Sequence, residues 1–169
     1  MTTYLIDSNI LITPHRSYYP FDFAPSFWDF LIRKVQKGSL ISIDKVNDEI
    51  LRGADQLADW FSYNLSEYCV KTNTMGILQS YQVLVNYVNN SNVYSQKAKN
   101  EFMQADNADT WLLAYCLNAK ETGKDICLVT LEERNPDIKK RVPIPNVCQD
   151  FDIDYCNLFN LIRRLNFFF

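Results

Sequence analysis

Short apolar runs alternate with longer stretches of helical periodicity, and this alternation limits the fold more than any other feature. Tyr4-Leu5-Ile6, Leu40-Ile41-Ser42-Ile43 and Ile126-Cys127-Leu128-Val129 are each too short for a helix and read as buried strands. Asp154-Tyr155-Cys156 reads as a short fourth strand. Between them, residues 26–37 place Phe27, Phe30, Leu31 and Val35 near helical spacing, with Gly38 as the stop. Further helices are predicted through Val46, Ile50 and Leu51 (with Asp44 as cap and Gly53 as stop), over 55–69, and twice within 74–103, broken near Asn89–Asn92. Another runs from Asp106 to Lys120, and a last one passes through Leu158, Leu161 and Ile162. Ser8-Asn9 caps a turn through Ile10–Ile12 that Pro14 should stop, and residues 142–149, VPIPNVCQ, read as irregular. Strands alternating with helices predict an α/β fold with a mostly parallel sheet, in a single domain over residues 1–169.

Composition removes several chemistries. Gly38, Gly53, Gly76 and Gly123 are the only glycines, and no two lie close enough for a phosphate-cradling loop. His15 is the only histidine, which excludes multi-histidine metal sites and makes a Ser-His-Asp triad improbable. The net charge of −3 announces no bulk nucleic-acid binder. Five cysteines, Cys69, Cys116, Cys127, Cys148 and Cys156, are odd in number and lack a CxxC pair. They read as buried thiols in a reduced, cytoplasmic protein. The N-terminal residues have no basic region and meet Asp7 at once, unlike a signal peptide, and no apolar run nears the roughly 20 residues of a membrane span.

The acids fall at strand ends. Asp7 follows the first strand, Glu49 lies in the helix after the second, and Glu132 and Glu133 follow the third. Asp106 and Asp109 begin the helix before the third strand. Parallel α/β sheets bind ligands outside the carboxyl ends of their strands, where Asp7, Glu49 and Glu132 would be delivered. Asp109 joins them if its helix starts at that edge. Two carboxylates about 4 Å apart repel by about 4 kcal/mol at an effective dielectric near 20. Protonation or a bound cation relieves this, and an oxygen-only donor set suits Mg²⁺ or Mn²⁺. Such a cation activates water and stabilises an in-line phosphoryl displacement. Each acid also has an ordinary alternative as a helix cap, a solvated side chain or an acidic turn.

YLIDSNILI at 4–12, IDKVNDEI at 43–50, ADTWLLAYC at 108–116 and LVTLEE at 128–133 together resemble the PIN-domain family, the VapC-like ribonucleases. YYPFDFAPSFWDFLIRK and VPIPNVC resemble one bacterial branch of it, and the likeness spans roughly residues 3–165. The resemblance implies a three-layer αβα sandwich with about four to five strands. It implies a Mg²⁺- or Mn²⁺-dependent endoribonuclease, the toxin of a type II toxin–antitoxin pair. Asp7 matches the first acid of that family, Asn9 the polar residue that orients it, Glu49 the second acid and Asp109 the third. Thr130-Leu131-Glu132 puts Glu132 where an Asp is usual for the fourth. Glu133 or Asp106 are alternatives for completing the set, although Asp106 reads better as a helix cap. RNA, an antitoxin protein covering the cleft and a second copy of the chain are the implied partners.

Two rival functions remain at this point. One is a non-catalytic PIN-like module that binds RNA or a partner protein. The other is a phosphohydrolase or phosphoacceptor domain with Asp7 as nucleophile. Asn9 stands where a haloacid-dehalogenase-like enzyme needs a second Asp, and Leu131 where a receiver-like domain needs Lys. The aromatics Tyr18, Tyr19, Phe21, Phe23, Phe27 and Trp28 read as core, with base stacking or partner binding as alternatives. Arg33-Lys34-Lys37 and Lys139-Lys140-Arg141 read as solvated faces before phosphate contacts. His15 reads as a loop residue, and the terminal Phe167-Phe168-Phe169 either packs back or meets a partner.

Overall fold

A computed structural model describes residues 1–168. The four apolar runs form one all-parallel sheet: β1 (Thr3–Ile6), β2 (Leu40–Ile41), β3 (Ile126–Val129) and β4 (Tyr155–Cys156), in the order β2-β1-β3-β4. The central pair runs in register from Thr3 opposite Ile126 to Ile6 opposite Val129. Leu5, Ile6, Leu128 and Val129 are fully buried, as a parallel sheet covered on both faces requires.

The chain moves from β1 outward to β2, then crosses back over β1 to β3 and on to β4. Right-handed crossovers therefore send the intervening helices to opposite faces. The first face carries α1 (Asn9–Thr13) and α2 (Pro25–Gln36). The other carries α3 (Asp44–Arg52), α4 (Gln56–Asn64), α5 (Met75–Asn90), α6 (Gln96–Phe102), α7 (Ala108–Glu121) and α8 (Ile144–Asp150). After β4, α9 (Leu158–Arg164) returns to the first face, where Phe159 meets Tyr18 and the following Phe167 stacks on Phe30 at 4.4 Å. The result is a three-layer αβα sandwich. Among the described residues, no helix is long and apolar enough to cross a membrane.

Helix ends follow local chemistry. Gly38 takes φ +70° after α2, so that Ser39 N–H reaches back to Lys34 O and turns the chain into β2. Asp55, Ser95, Asn107 and Asn157 cap α4, α6, α7 and α9 with their side chains. The aromatic segment is mainly core. Phe27 and Trp28 are buried, Trp28 donates to Tyr19 O at 2.7 Å, and its ring packs on Phe21 and Trp60. His15 lies against Phe21 rather than in an open loop. Within that set Phe23 is largely exposed and Tyr18 is exposed in part.

Several local expectations are corrected. Pro14 ends the α1 hydrogen-bonding pattern but keeps a helical backbone, and a π-helical turn follows over Pro14–Tyr18. Residues 142–149 are not irregular: α8 starts there, because the first-turn Pro145 lacks an N–H that would have had no intrahelical partner. Asp44 does not cap α3; its carboxylate instead accepts from the Thr72 hydroxyl and N–H. Ser8 does not cap α1, because its own backbone is already helical and its hydroxyl turns elsewhere.

Trp28→Ala is expected to destabilise the protein by about 3–5 kcal/mol in urea titration, the range for emptying a large aromatic site. Trp28→Phe keeps most of the packing but strips Tyr19 O of the indole donor, for a loss of about 1–2 kcal/mol.

Candidate active site

Asp7 and Thr130 are the first residues beyond the carboxyl ends of β1 and β3. These neighbouring strands have connections that leave in opposite directions, so the crevice between them is the switch point where open parallel sheets bind ligands. Asp7 is 2 % exposed. Its N–H extends the ladder to Val129 O at 3.0 Å, and its Oδ2 accepts from the Thr130 hydroxyl at 2.9 Å.

The Thr130 hydroxyl has one proton and two lone pairs. Asn9 Nδ2 donates to it at 3.2 Å and the Glu132 N–H at 3.2 Å, so its own proton is directed to Asp7. Asn9 Oδ1 also accepts from Leu131 N–H at 3.0 Å. Asn9 therefore fastens the turn after β3 to the start of α1 and orients Thr130, which in turn orients Asp7.

Ser8 connects the next acid. Its Oγ lies 3.0 Å from Glu49 Oε1 and 3.3 Å from Asp7 Oδ1. One hydroxyl proton serves one of these contacts. The other closes when its carboxyl is protonated and donates. Glu49 itself stands in the second turn of α3. Asp109 stands in the first turn of α7, its N–H held by the Asn107 cap. Two side chains fix where that helix begins: Thr110 donates to Phe102 O at 2.6 Å, and Trp111 donates to Ala105 O at 2.9 Å.

Electrostatics tie the four acids into one group. Burial pushes the Asp7 carboxyl up to about 7, and the charges of Glu132 and Glu49 add to the rise against the opposing Thr130 hydrogen bond. Burial likewise pushes Asp109 up to about 8, with Asp7, Glu132 and Glu49 adding and Arg141 opposing.

Glu132 differs from the other three. Arg141 Nη1 donates to its Oε1 at 2.8 Å, and the Ile144 N–H donates to its Oε2 at 2.8 Å. Arg141 is therefore joined to the site through Glu132 while its side chain stays half exposed to solvent. Asp106 is neither cap nor member: Asn107 caps α7, and Asp106 faces solvent with Arg52 at 3.3 Å. Glu133 is exposed beside a cleft of about 490 Å³ that runs from Thr130 and Glu132 to Tyr155, Phe159 and Asn160. The sequence did not single out Ser8 for the site, and offered Arg141 there only as the less favoured alternative to a solvated face. Ser8 looked like a cap, and Arg141 looked like one of three surface cations.

The oxygen-only donors of Asp7, Glu49 and Asp109 fit a hard divalent cation by chemistry and by their excess of negative charge. Among the described residues, no three His, Cys, Asp or Glu side chains are close enough to hold a metal ion as they stand. A cation would therefore be held only once these carboxylates drew closer together.

The family model described as "Domain of unknown function (DUF4411)" matches residues 4–169. The chain belongs to that family. Neither a curated protein nor a solved structure matches it.

The raised acids set the sign of the pH dependence. A carboxyl that titrates at about 7 or 8 when folded, and near 4 when unfolded, binds its proton more tightly in the native state. The contribution of these two carboxyls to stability in EDTA is then full below about pH 4 and is lost as pH rises to about 8. Urea midpoints across this window should show that decline, and Asp7→Asn or Asp109→Asn should flatten it.

Proposed function

We propose that this protein is a Mg²⁺- or Mn²⁺-dependent endoribonuclease, in line with the PIN-like pattern of its acids. The observation that carries the reading is the buried Asp7 at the switch point, bonded to Thr130 and linked through Ser8 to Glu49. Neither a core nor a surface has use for such an arrangement, since each buried carboxyl costs solvation and repels the next.

Asp7, Glu49 and Asp109 would hold the cation. When bound, the cation supplies an activated water and charge stabilisation for phosphodiester displacement. The chain's own residues prepare the site. Thr130 and Asn9 fix the direction of Asp7. Ser8 holds Glu49 toward Asp7, and the α7 start holds Asp109. Burial keeps protons on Asp7 and Asp109 until a cation replaces them, so cation binding releases protons and strengthens with pH.

The five free thiols fit a reducing, cytoplasmic setting. An antitoxin over the cleft and a homodimer are further proposals, drawn from the PIN resemblance alone. The engagement of Glu132 by Arg141 favours a second reading, a non-catalytic module that retains its acids without turnover.

Purified protein should cut a labelled RNA pool with Mn²⁺ or Mg²⁺ and not with EDTA. Asp7→Asn should reduce the rate by more than ~100-fold, beyond the usual loss for an outer-sphere partner. Thr130→Val, which removes only the orienting hydroxyl, should cost ~10–100-fold in Mn²⁺ affinity. Mn²⁺ binding without cutting would instead support the binding module.

A further inference from the structure

We propose that Arg141 receives the non-bridging oxygens of the scissile phosphodiester, and that Glu132 is the residue that positions it rather than a cation ligand. This rests on the nuclease reading and assigns the fourth acid a different role within it.

Both Glu132 oxygens are engaged, one by Arg141 and one by the Ile144 N–H, each at 2.8 Å. The Glu132 side chain is only 15 % exposed. Each oxygen keeps a second lone pair, but a cation taking it would share that oxygen with the Ile144 N–H or sit against the positive guanidinium, which repels it. The Glu132 backbone is fixed as well, because its N–H donates to the Thr130 hydroxyl that orients Asp7. The carboxylate therefore stays beside the acid group, whose charges it feels, while both of its oxygens are bound to donors on the segment that leads into α8.

Arg141 has the opposite character. Its side chain is 52 % exposed, and Glu132 takes a bond from one of its nitrogens. A guanidinium carries five N–H donors in a planar fork that matches phosphate oxygens. With Asp109, Glu132 and Asn107, Arg141 lines a hollow of about 90 Å³ at the start of α7. It is thus a cation at the rim of an acidic site, held from behind and open in front. An anionic substrate approaching three carboxylates is repelled unless a positive group faces it, and Arg141 is placed to do so.

The test uses the full-length protein and the variants Glu132→Gln, Arg141→Gln, Arg141→Lys and the Glu132→Gln/Arg141→Gln double. Gln at 132 still accepts from Ile144 N–H, and urea midpoints establish that each variant folds. Two quantities are measured: Mn²⁺ affinity by calorimetric titration, and kcat and KM on a single-stranded fluorogenic oligoribonucleotide. Mn²⁺ affinity should stay within about tenfold of wild type in all four, since a neighbouring charge changes but no ligand is lost. Arg141→Gln should lower kcat/KM by about 100-fold and Arg141→Lys by less, because Lys keeps the charge without the fork. Glu132→Gln should cost about tenfold, and the double variant should be no worse than Arg141→Gln, because one residue acts through the other.

Loss of Mn²⁺ affinity beyond about tenfold in Glu132→Gln would make Glu132 a ligand and overturn the inference while leaving the nuclease reading intact. Wild-type kinetics in Arg141→Gln would overturn it equally. A wild-type protein that neither binds Mn²⁺ nor cuts RNA would remove the nuclease reading, and this inference with it.

Discussion

The parallel pairing of β1 with β3 is the contact on which everything else in the molecule depends. It joins residues 3–6 to residues 126–129 across more than a hundred intervening positions. Ile6 lies opposite Val129, so the next residue on each strand, Asp7 and Thr130, leaves the sheet side by side. Side chains alternate along a strand, so a slip of one residue would turn Leu5 and Leu128 out of their layers and separate Asp7 from its hydroxyl. The same pairing creates the switch point, because β2 and β4 are added on opposite outer edges.

The site built there is under electrostatic tension. Asp7 is buried among other acids, and a single hydroxyl from Thr130 and a shared one from Ser8 are modest compensation. The native state answers by holding protons on Asp7 and Asp109 into the neutral range. Arg141 is the one cation the described contacts bring to the group, and Glu132 is bound to it directly. A site that stores protons when empty and exchanges them for a cation is coherent with the proposed chemistry, and it links stability, pH and cation binding through the same carboxyls.

Much of this was legible in the sequence, for identifiable reasons. The Ile126–Val129 run and the helix through Trp111, Leu112 and Cys116 carry strong hydrophobic patterns, and tertiary structure has no cause to override them. The positions of Asp7, Asp109 and Glu132 in the fold were legible because strand ends and a helix start fix where those side chains go, and Glu49 followed from the helix after β2. The misses are cases where a local rule met a competing partner. Ser8 and Asp44 have good capping side chains, but Glu49 and Thr72 engage them instead. The prolines near α8 signal a break when read singly, yet Pro143 precedes the helix and Pro145 falls in its first turn, where proline is tolerated. Asp106 and Asp109 look equivalent along the chain, and the start of α7, set by the Asn107 cap together with Thr110 and Trp111, decides which turns inward. Arg141 could not be distinguished from Lys139 and Lys140 without knowing that Glu132 lies beside it.

The central claim is that Asp7, Glu49 and Asp109 converge on one divalent cation. Anomalous diffraction from a crystal soaked in Mn²⁺ at pH 8 tests it most directly. The account predicts a manganese peak contacted by carboxylate oxygens of these three residues, with Glu132 still bonded to Arg141. A soaked crystal without a peak at the switch point, or with manganese bound only elsewhere, would contradict it.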